Sequence, residues 1–200
     1  GHDYSTYNGE IELAIMQQVV EADGGDFSKV ELIPYTLEDE AGALREGLTD
    51  AIWIYYGWGG ISARLSGLDF DYFYFKDIDP VFDYYTPLII ANNDFLAQEP
   101  DTARAFLSAA AQGYEYAIEH PEEAAQMLID GDTTGSLSAS EDLIVESQKW
   151  MADQYKAEVE QWGYIDPARW NAFYNWLNEN GLVAVEIPEN TGFSNDYLAP

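Results

Sequence analysis

Ala51-Ile52-Trp53-Ile54-Tyr55-Tyr56-Gly57-Trp58-Gly59-Gly60 runs an unbroken apolar stretch into a glycine-rich turn. A run this short, rich in β-branched and aromatic residues and bounded by turn formers, reads as a strand covered on both faces. Before it lie a helical stretch over 38–46, closed by Gly47, and a second apolar run, Val30-Glu31-Leu32-Ile33. After it come a helical 61–65 and a ring-rich run over 70–75. The alternation predicts β-α-β-α-β, and short connections between doubly covered strands favour a parallel sheet with right-handed crossovers. Upstream, Asn8-Gly9 signals a helix start. Ile11, Ala14, Ile15, Val19 and Ala22 continue it at three- and four-residue spacing, and Gly24-Gly25 ends it. The fold class expected is α/β.

Beyond Asp79-Pro80 the pattern changes. Tyr84-Tyr85-Thr86-Pro87-Leu88-Ile89-Ile90-Ala91 reads as extended, and helices with clear punctuation follow. Pro100-Asp101 opens one that runs to His120, and Pro121 stands at the first position of a second. Ser138-Ala139-Ser140-Glu141 has the spacing of a capping box for a third, and Asp166-Pro167 opens a fourth that Asn180-Gly181 closes. The stretch 130–138, built of Gly, Asp, Thr and Ser, reads as a flexible connection. Ala103, Phe106, Leu107, Ala110, Tyr114, Ala117 and Ile118 form an apolar stripe that must be buried on something. No second sheet is encoded for these helices to cover. A segment outside these residues, another molecule, or self-association with a second copy is expected to cover the stripe.

Composition narrows the function classes. The 200 residues carry Asp+Glu 37 against Lys+Arg 8, a formal charge of −29, which repels phosphate backbones and anionic lipid and argues against nucleic-acid and membrane-surface partners. Cysteine is absent from the sequence, which removes thiolate nucleophiles, disulfides and cysteine metal sites together. No apolar run approaches the roughly 20 residues needed to span a bilayer, and Gly1-His2-Asp3 does not read as a leader. Tyr 15, Phe 9 and Trp 6 are an unusual load of rings. Most should be packing; placement singles out the rest.

Catalytic and metal-binding patterns are poor. His2 is terminal, and His120 precedes a proline at a helix junction, where capping or exposure is its ordinary role. No His-x-x-x-His pair, Gly-x-Ser-x-Gly elbow, Walker loop or dinucleotide fingerprint occurs. Neither a metal nor a cofactor is expected. Three ring-bearing clusters are better candidates for binding. Tyr4-Ser5-Thr6-Tyr7-Asn8-Gly9-Glu10 places aromatics, hydroxyls and glycine just before a helix, where backbone N–H groups are free to face a ligand. Tyr55-Tyr56-Gly57-Trp58-Gly59-Gly60 lies at the carboxyl end of a predicted parallel strand, where open α/β sheets hold ligands. Asp83-Tyr84-Tyr85-Thr86-Pro87 sits where a two-lobed protein would place its hinge. Rings with neutral hydrogen-bonding groups suit a flat, uncharged or weakly cationic heterocycle. The arginines are Arg45, Arg64, Arg104 and Arg169, none within these clusters, so an anion is expected to find only helix N–H groups.

Five stretches in order carry a family resemblance. They are Gly24-Gly25-Asp26-Phe27-Ser28-Lys29-Val30, Trp53-Ile54-Tyr55-Tyr56-Gly57-Trp58, Asp83-Tyr84-Tyr85-Thr86-Pro87, Ala117-Ile118-Glu119-His120-Pro121-Glu122-Glu123-Ala124 and Ile187-Pro188-Glu189-Asn190. With them the chain resembles the substrate-binding proteins of ABC transporters for thiamine pyrimidine precursors such as hydroxymethylpyrimidine, a family that also contains fungal thiamine-pyrimidine synthases. The resemblance implies a type II periplasmic-binding-protein fold in which two α/β lobes close on the ligand. It further implies that the family's amino-terminal segment, which builds most of the first lobe, is missing. Residues 3–84 would be one complete lobe, and 85–200 the return strand and mainly helical remainder of the other.

By the same resemblance, the ligand-facing loop corresponds to Thr6, Tyr7, Asn8, Gly9 and Glu10. The strand-end position corresponds to Tyr56, with Trp58 nearby, and Tyr84 and Tyr85 line the hinge side. Some relatives carry glutamate near that strand end, where this chain has tyrosine. The synthase branch carries a cysteine cluster where this chain has Asp83-Tyr84-Tyr85, so synthase activity is not expected. The implied partner is a membrane permease, and the implied location is extracellular or periplasmic with an anchor in the full-length protein. The alternatives are a binding protein for an alkanesulfonate or another small ligand on the same fold and, from a different class, a pyrimidine-synthase-like enzyme.

Overall fold

The structure is a computed structural model that describes residues 2–34, 39–157 and 159–198. It divides into two compact units, Gly1–Tyr85 with Asp166–Thr191, and Thr86–Ile165 with Gly192–Pro200.

The first unit is built on a three-stranded parallel sheet in the order β2-β1-β3, with β1 Asp3–Thr6, β2 Glu31–Pro34 and β3 Ala51–Ile52. Tyr4 pairs with Leu32 on one side and Ala51 on the other, which makes the amino-terminal strand the central one. Its four residues, Asp-Tyr-Ser-Thr, carry no apolar run, so the sequence pattern does not announce it. Tyr4, Ser5 and Thr6 are nonetheless buried, because a central strand is covered whatever its composition. Helix α1 (Glu10–Ala22) returns the chain from β1 to β2, and α2 (Glu40–Arg45) leads from β2 across to β3. Of the helical stretch expected over 38–46, Glu38 lies outside the described residues.

Two expected strands differ from the structure. The run from Ala51 pairs only over Ala51–Ile52 and turns at Tyr56–Gly60 into a wide helical turn that continues as α3 (Ile61–Leu65). The run over 70–75 joins no ladder, and α4 (Phe75–Ile78) begins at its end. Its two-residue alternation is real, but rings rather than hydrogen bonds use it. Tyr72 and Tyr74 lie 4.8 and 6.1 Å from the Tyr56 ring, whereas Phe75 meets Trp53 edge-on at 4.6 Å.

The core of this unit forms where α1 meets α9 (Pro167–Glu179). Ile15 and Val19 pack with Phe82, Phe173, Trp176 and Leu177. Partly buried Gln18 links these elements, accepting from Trp176 Nε1 at 2.6 Å and donating to Asp79 at 2.6 Å. Helix α9 starts as its sequence dictates: Pro167 takes the first position and the Asp166 carboxylate accepts from Arg169 N at 2.8 Å. It belongs to the same compact unit as the sheet.

The second unit is helical: α5 (Asn93–Gln98), α6 (Pro100–Glu119), α7 (Pro121–Gly131) and α8 (Glu141–Ala152). The sequence reading misses α5, whose start is fixed by Asn92 accepting from Asp94 N and Phe95 N. His120 stands at the junction of α6 and α7, just before Pro121; its side chain makes no cap hydrogen bond, and its ring lies 4.7 Å from that of Tyr116. The capping box expected over Ser138–Glu141 is not formed: α8 begins at Glu141 after Ser140, which makes no side-chain cap bond, and the Ser138 hydroxyl donates instead to the Gly135 carbonyl at 2.8 Å. The connection read as flexible is wound about Asp132, which accepts from Thr134 N and Leu137 N, each at 2.8 Å. Lys149 joins α8 to α7 through Glu122 at 2.8 Å, and Lys156 reaches Glu115 at 2.9 Å. On the apolar stripe of α6, Ala103 is buried while Phe106 is 60% exposed. Among the described residues no helix is long and apolar enough to cross a membrane, and no group of three or more His, Cys, Asp or Glu is placed to hold a metal ion.

Candidate functional site

In a parallel sheet the carboxyl ends of the strands lie along one edge, and neighbouring strands are about 4.8 Å apart. β1 ends at Thr6 and β3 at Ile52, and the two strands pair directly. The loops that leave them, 7–9 and 53–55, therefore emerge side by side. Two of the three sequence clusters are brought together by this pairing.

The loop after β1 is held from beneath. Thr6 is buried, and its Oγ1 accepts from Asn8 N at 2.8 Å. Asn8 takes a positive φ of 59°, a conformation asparagine tolerates better than most residues. Gly9 is the residue before α1, and Glu10 opens the helix. Glu12 then reaches back three ways, accepting from the Tyr4 hydroxyl at 2.6 Å and from Tyr7 N and Gly9 N at 3.3 Å. Burial, and then Glu12 itself, pushes the Tyr4 phenol up, keeping it a protonated donor. The loop is so fixed that Tyr7 stands 64% exposed at the strand end.

The loop after β3 presents Tyr55, 69% exposed, and Trp58, 50% exposed. Trp58 N and Gly59 N both donate to the Tyr55 carbonyl, closing the turn. Gly57, Gly59 and Gly60 are buried in it, and Gly60 allows a close approach: a Cβ there would lie 2.5 Å from Tyr56 Cδ2. Tyr56 is half-buried, its hydroxyl accepting from Arg64 Nη1 at 3.2 Å. That guanidinium lowers the Tyr56 pKa from its ordinary value, and a hydrogen bond with Tyr72 adds to the effect.

The third cluster is engaged differently. Tyr84 stacks on Phe173 at 4.1 Å with the planes 15° apart. Burial, and then the Tyr55 phenol, raises its pKa. The Tyr85 hydroxyl accepts from Asp166 N at 2.8 Å, and the Arg169 guanidinium lies 4.4 Å from the Tyr85 ring centre. Both rings are thus committed to α9.

The expectation that no arginine reaches the clusters is corrected by the structure. Arg64 touches Tyr56, and Arg169 touches Tyr85 and Asp83. The spacing of the first was available: residues 56, 60 and 64 are two four-residue steps along one helical face. Glu12, three residues after Gly9, has the spacing of a capping partner, and Tyr72 sits in the alternating run. Tyr55 lies beside a residue that had been singled out. Arg169 is 86 residues from Asp83, with no local pattern to join them.

A family model described as "NMT1/THI5 like" matches residues 1–124, more than half of the 200 residues. The chain belongs to the NMT1/THI5-like family. All nine candidate residues, from Thr6 to Tyr85, fall within the matched stretch, and the mixed α/β fold with its small parallel sheet is consistent with this membership. The chain is also 25% identical over 186 residues, 90% of its length, to a protein of Halalkalibacterium halodurans named formylaminopyrimidine-binding protein. It spans about half, 54%, of that relative. Four of the five quoted stretches lie within the match, and the resemblance holds at the level of the NMT1/THI5-like family.

Proposed function

We propose that the chain belongs to a non-catalytic solute-binding protein of an ABC importer. The ligand in this reading is a thiamine pyrimidine precursor, hydroxymethylpyrimidine or its formylamino relative. The observation that carries the reading is the pair of exposed rings, Tyr7 and Trp58, on loops leaving the carboxyl ends of directly paired parallel strands. Exposed rings cost free energy unless they are used, and a flat heterocycle uses them by stacking. The name of the half-matched relative supports the same ligand class. In this reading the fold is of the type II periplasmic-binding-protein kind: 3–84 form one lobe, with α9 packed on it, and the return segment and helices α5 to α8 belong to the other. Thr6 to Glu10 contribute hydrogen-bonding groups, Tyr56 and Trp58 wall the ring, and Tyr84 and Tyr85 line the hinge side. A permease receives the ligand, and the protein works outside the cytoplasmic membrane. No turnover is expected, and the pyrimidine is recovered unchanged.

Arg64 beside Tyr56 favours a second reading, an alkanesulfonate ligand. A thermal-shift panel with hydroxymethylpyrimidine, formylaminopyrimidine and taurine separates the two. A ligand that binds only the native state stabilises it by about 2.7 kcal/mol at a hundred times its Kd. A rise in melting temperature with either pyrimidine supports the first reading, and a rise with taurine alone replaces it by the second.

A further inference from the structure

Asn-Gly occurs twice in the chain, at 8–9 and at 180–181. In this pair the asparagine side chain meets least resistance from the residue that follows, because glycine leaves its own amide nitrogen uncovered. The two copies are held differently. Asn180 closes α9: its Nδ2 donates to the Trp176 carbonyl at 2.8 Å, its main-chain N to the same carbonyl at 3.1 Å, and Gly181 N to the Asn178 carbonyl at 3.1 Å. Gly181 has a φ of 65°, so the backbone itself calls for glycine there. Asn8 is exposed, and its side chain makes no hydrogen bond among the described residues. Gly9 N is held by the Glu12 carboxylate at 3.3 Å. Gly9 sits at φ −81° and ψ 137°, which any residue adopts, and a Cβ there would meet Glu12 at an ordinary 3.8 Å. Neither backbone nor space requires glycine at this position. What the missing Cβ changes is access to the nitrogen.

We propose that Asn8 is a self-modifying position, converted to isoaspartate and aspartate through attack by Gly9 N, and that the conversion disables the loop after β1. Gly9 N, its proton taken by hydroxide from solvent, bonds to Asn8 Cγ. The Cγ–Nδ2 bond breaks, and that nitrogen leaves as ammonia with a proton returned from water. The attack is intramolecular and closes a five-membered imide, so proximity drives it without an enzyme. Water then opens the imide, giving aspartate at the Cγ carbonyl and isoaspartate at the main-chain carbonyl. One water is consumed, one ammonia is released, and nothing is oxidised or reduced. Isoaspartate routes the main chain through the former side chain and lengthens it by one carbon. The Thr6 bond to Asn8 N lies before that insertion and the Glu12 bond to Gly9 N beyond it, so the two anchors lose their common spacing. The new carboxylate also arrives beside Glu10 and Glu12, which repel it. The modification stands apart from the pyrimidine reading; the loss of binding rests on it.

The test is incubation of the full chain in mildly alkaline buffer, followed by peptide mapping in the mass spectrometer and by methyl transfer specific for isoaspartate. Wild type and Gly9→Ala are compared, each folded and in urea. In the folded wild type Asn8 is expected to convert at least about tenfold faster than Asn180, the factor that one further good hydrogen bond adds to a barrier. In urea the two Asn-Gly pairs are expected to convert alike. Gly9→Ala, whose methyl covers the attacking nitrogen, is expected to slow conversion at Asn8 several-fold in both states and to unfold near the wild-type midpoint. Folded Asn8 that converts no faster than Asn180, or that survives while converting in urea, overturns the proposal. So does Gly9→Ala converting as fast as wild type, because ammonia is then lost without Gly9 N. Titration calorimetry with hydroxymethylpyrimidine reads the consequence, and the separated isoaspartate form is expected to bind more weakly than the unmodified protein. Equal affinity of the two forms overturns the disabling effect. Unmodified protein that binds no pyrimidine overturns the functional reading, while the mass and methyl-transfer results decide the modification independently.

Discussion

Arg169 grips Asp83 twice. Its Nη2 lies 2.8 Å from the carboxylate Oδ1, and its Nε donates to the Asp83 main-chain oxygen. The same guanidinium lies over the Tyr85 ring, so one α9 side chain fixes Asp83 and Tyr85 together. Lys76 is the next cation to Asp83, at 3.9 Å, too far to replace a bidentate contact. Both partners are about one-third exposed or less, so the contact is screened less than a surface pair. Arg169→Met is expected to lower stability by about 1.5–3 kcal/mol, the range for hydrogen bonds to charged groups. Arg169→Lys should recover little, because an ammonium cannot match the fork or lie flat on Tyr85. Urea unfolding followed by tyrosine and tryptophan fluorescence measures this, and a loss below about 0.5 kcal/mol, the size of an ordinary surface substitution, refutes it.

Gly60 matters for space. Its Cβ position falls 2.5 Å from Tyr56 Cδ2 and 2.9 Å from Cγ, distances at which the ring must move. Gly60→Ala is expected to swing Tyr56 off Arg64 and Tyr72, returning its phenol toward the ordinary range. The residue is in a helical turn with φ of −66°, so alanine is acceptable to the backbone and the effect should be confined to the ring. Spectrophotometric titration isolates it, read as the tyrosine signal that disappears in Tyr56→Phe. That signal is expected to move to higher pH in Gly60→Ala, and an unmoved midpoint shows that the ring tolerates the methyl.

The parts of this molecule that sequence discloses are those with local causes. Helices α1, α6, α7 and α9 begin at Gly9, Pro100, Pro121 and Asp166-Pro167 because a cap or a proline acts within a few residues. The parallel sheet is legible from the runs at 30–33 and 51–56, yet its central strand is not, since Asp3–Thr6 is buried by its neighbours rather than by its own hydrophobicity. At 70–75 the strand expected from the ring-rich run does not form, because rings on Tyr56 and Trp53 take the place of a ladder. For the candidate site, the loops at the strand ends follow from topology. What Tyr84 and Tyr85 touch depends on α9, more than 80 residues away in sequence, and no pattern over a short window contains that contact.

Ser5 supplies a different kind of test. It is buried in the central strand, and its Oγ is the buried side-chain polar atom without a partner among the described residues. A hydroxyl in that position loses its hydrogen bonds to water and gains none, at a cost of about 1–3 kcal/mol. Ser5→Ala removes the cost with almost no change in volume. It is expected to leave stability unchanged or raise it by up to about 1 kcal/mol, against the usual direction of core substitutions. A clear loss of stability in thermal unfolding shows instead that the hydroxyl is satisfied in solution.

Asp132 yields a prediction in pH. Hydrogen bonds from Thr134, first its side chain, and the backbone N–H of Leu137 hold its carboxyl down at about 2, below its ordinary value of 3.8. A depressed carboxyl pKa means that the folded loop prefers the ionised form. The stabilisation is present above about 3.8 and is lost as pH falls toward and through about 2. The 132–137 loop should therefore keep its structure at pH 4 and give it up in the window from 3.8 down to 2. Amide exchange at Leu137 and Thr134 reports this directly. Protection of the Leu137 amide should fall across that window in the wild type and be low at every pH in Asp132→Ala. Asp132→Asn, which keeps an accepting oxygen but carries no charge to titrate, should show partial protection that does not vary with pH. A pH-dependent loss persisting in Asp132→Asn assigns the transition to another group.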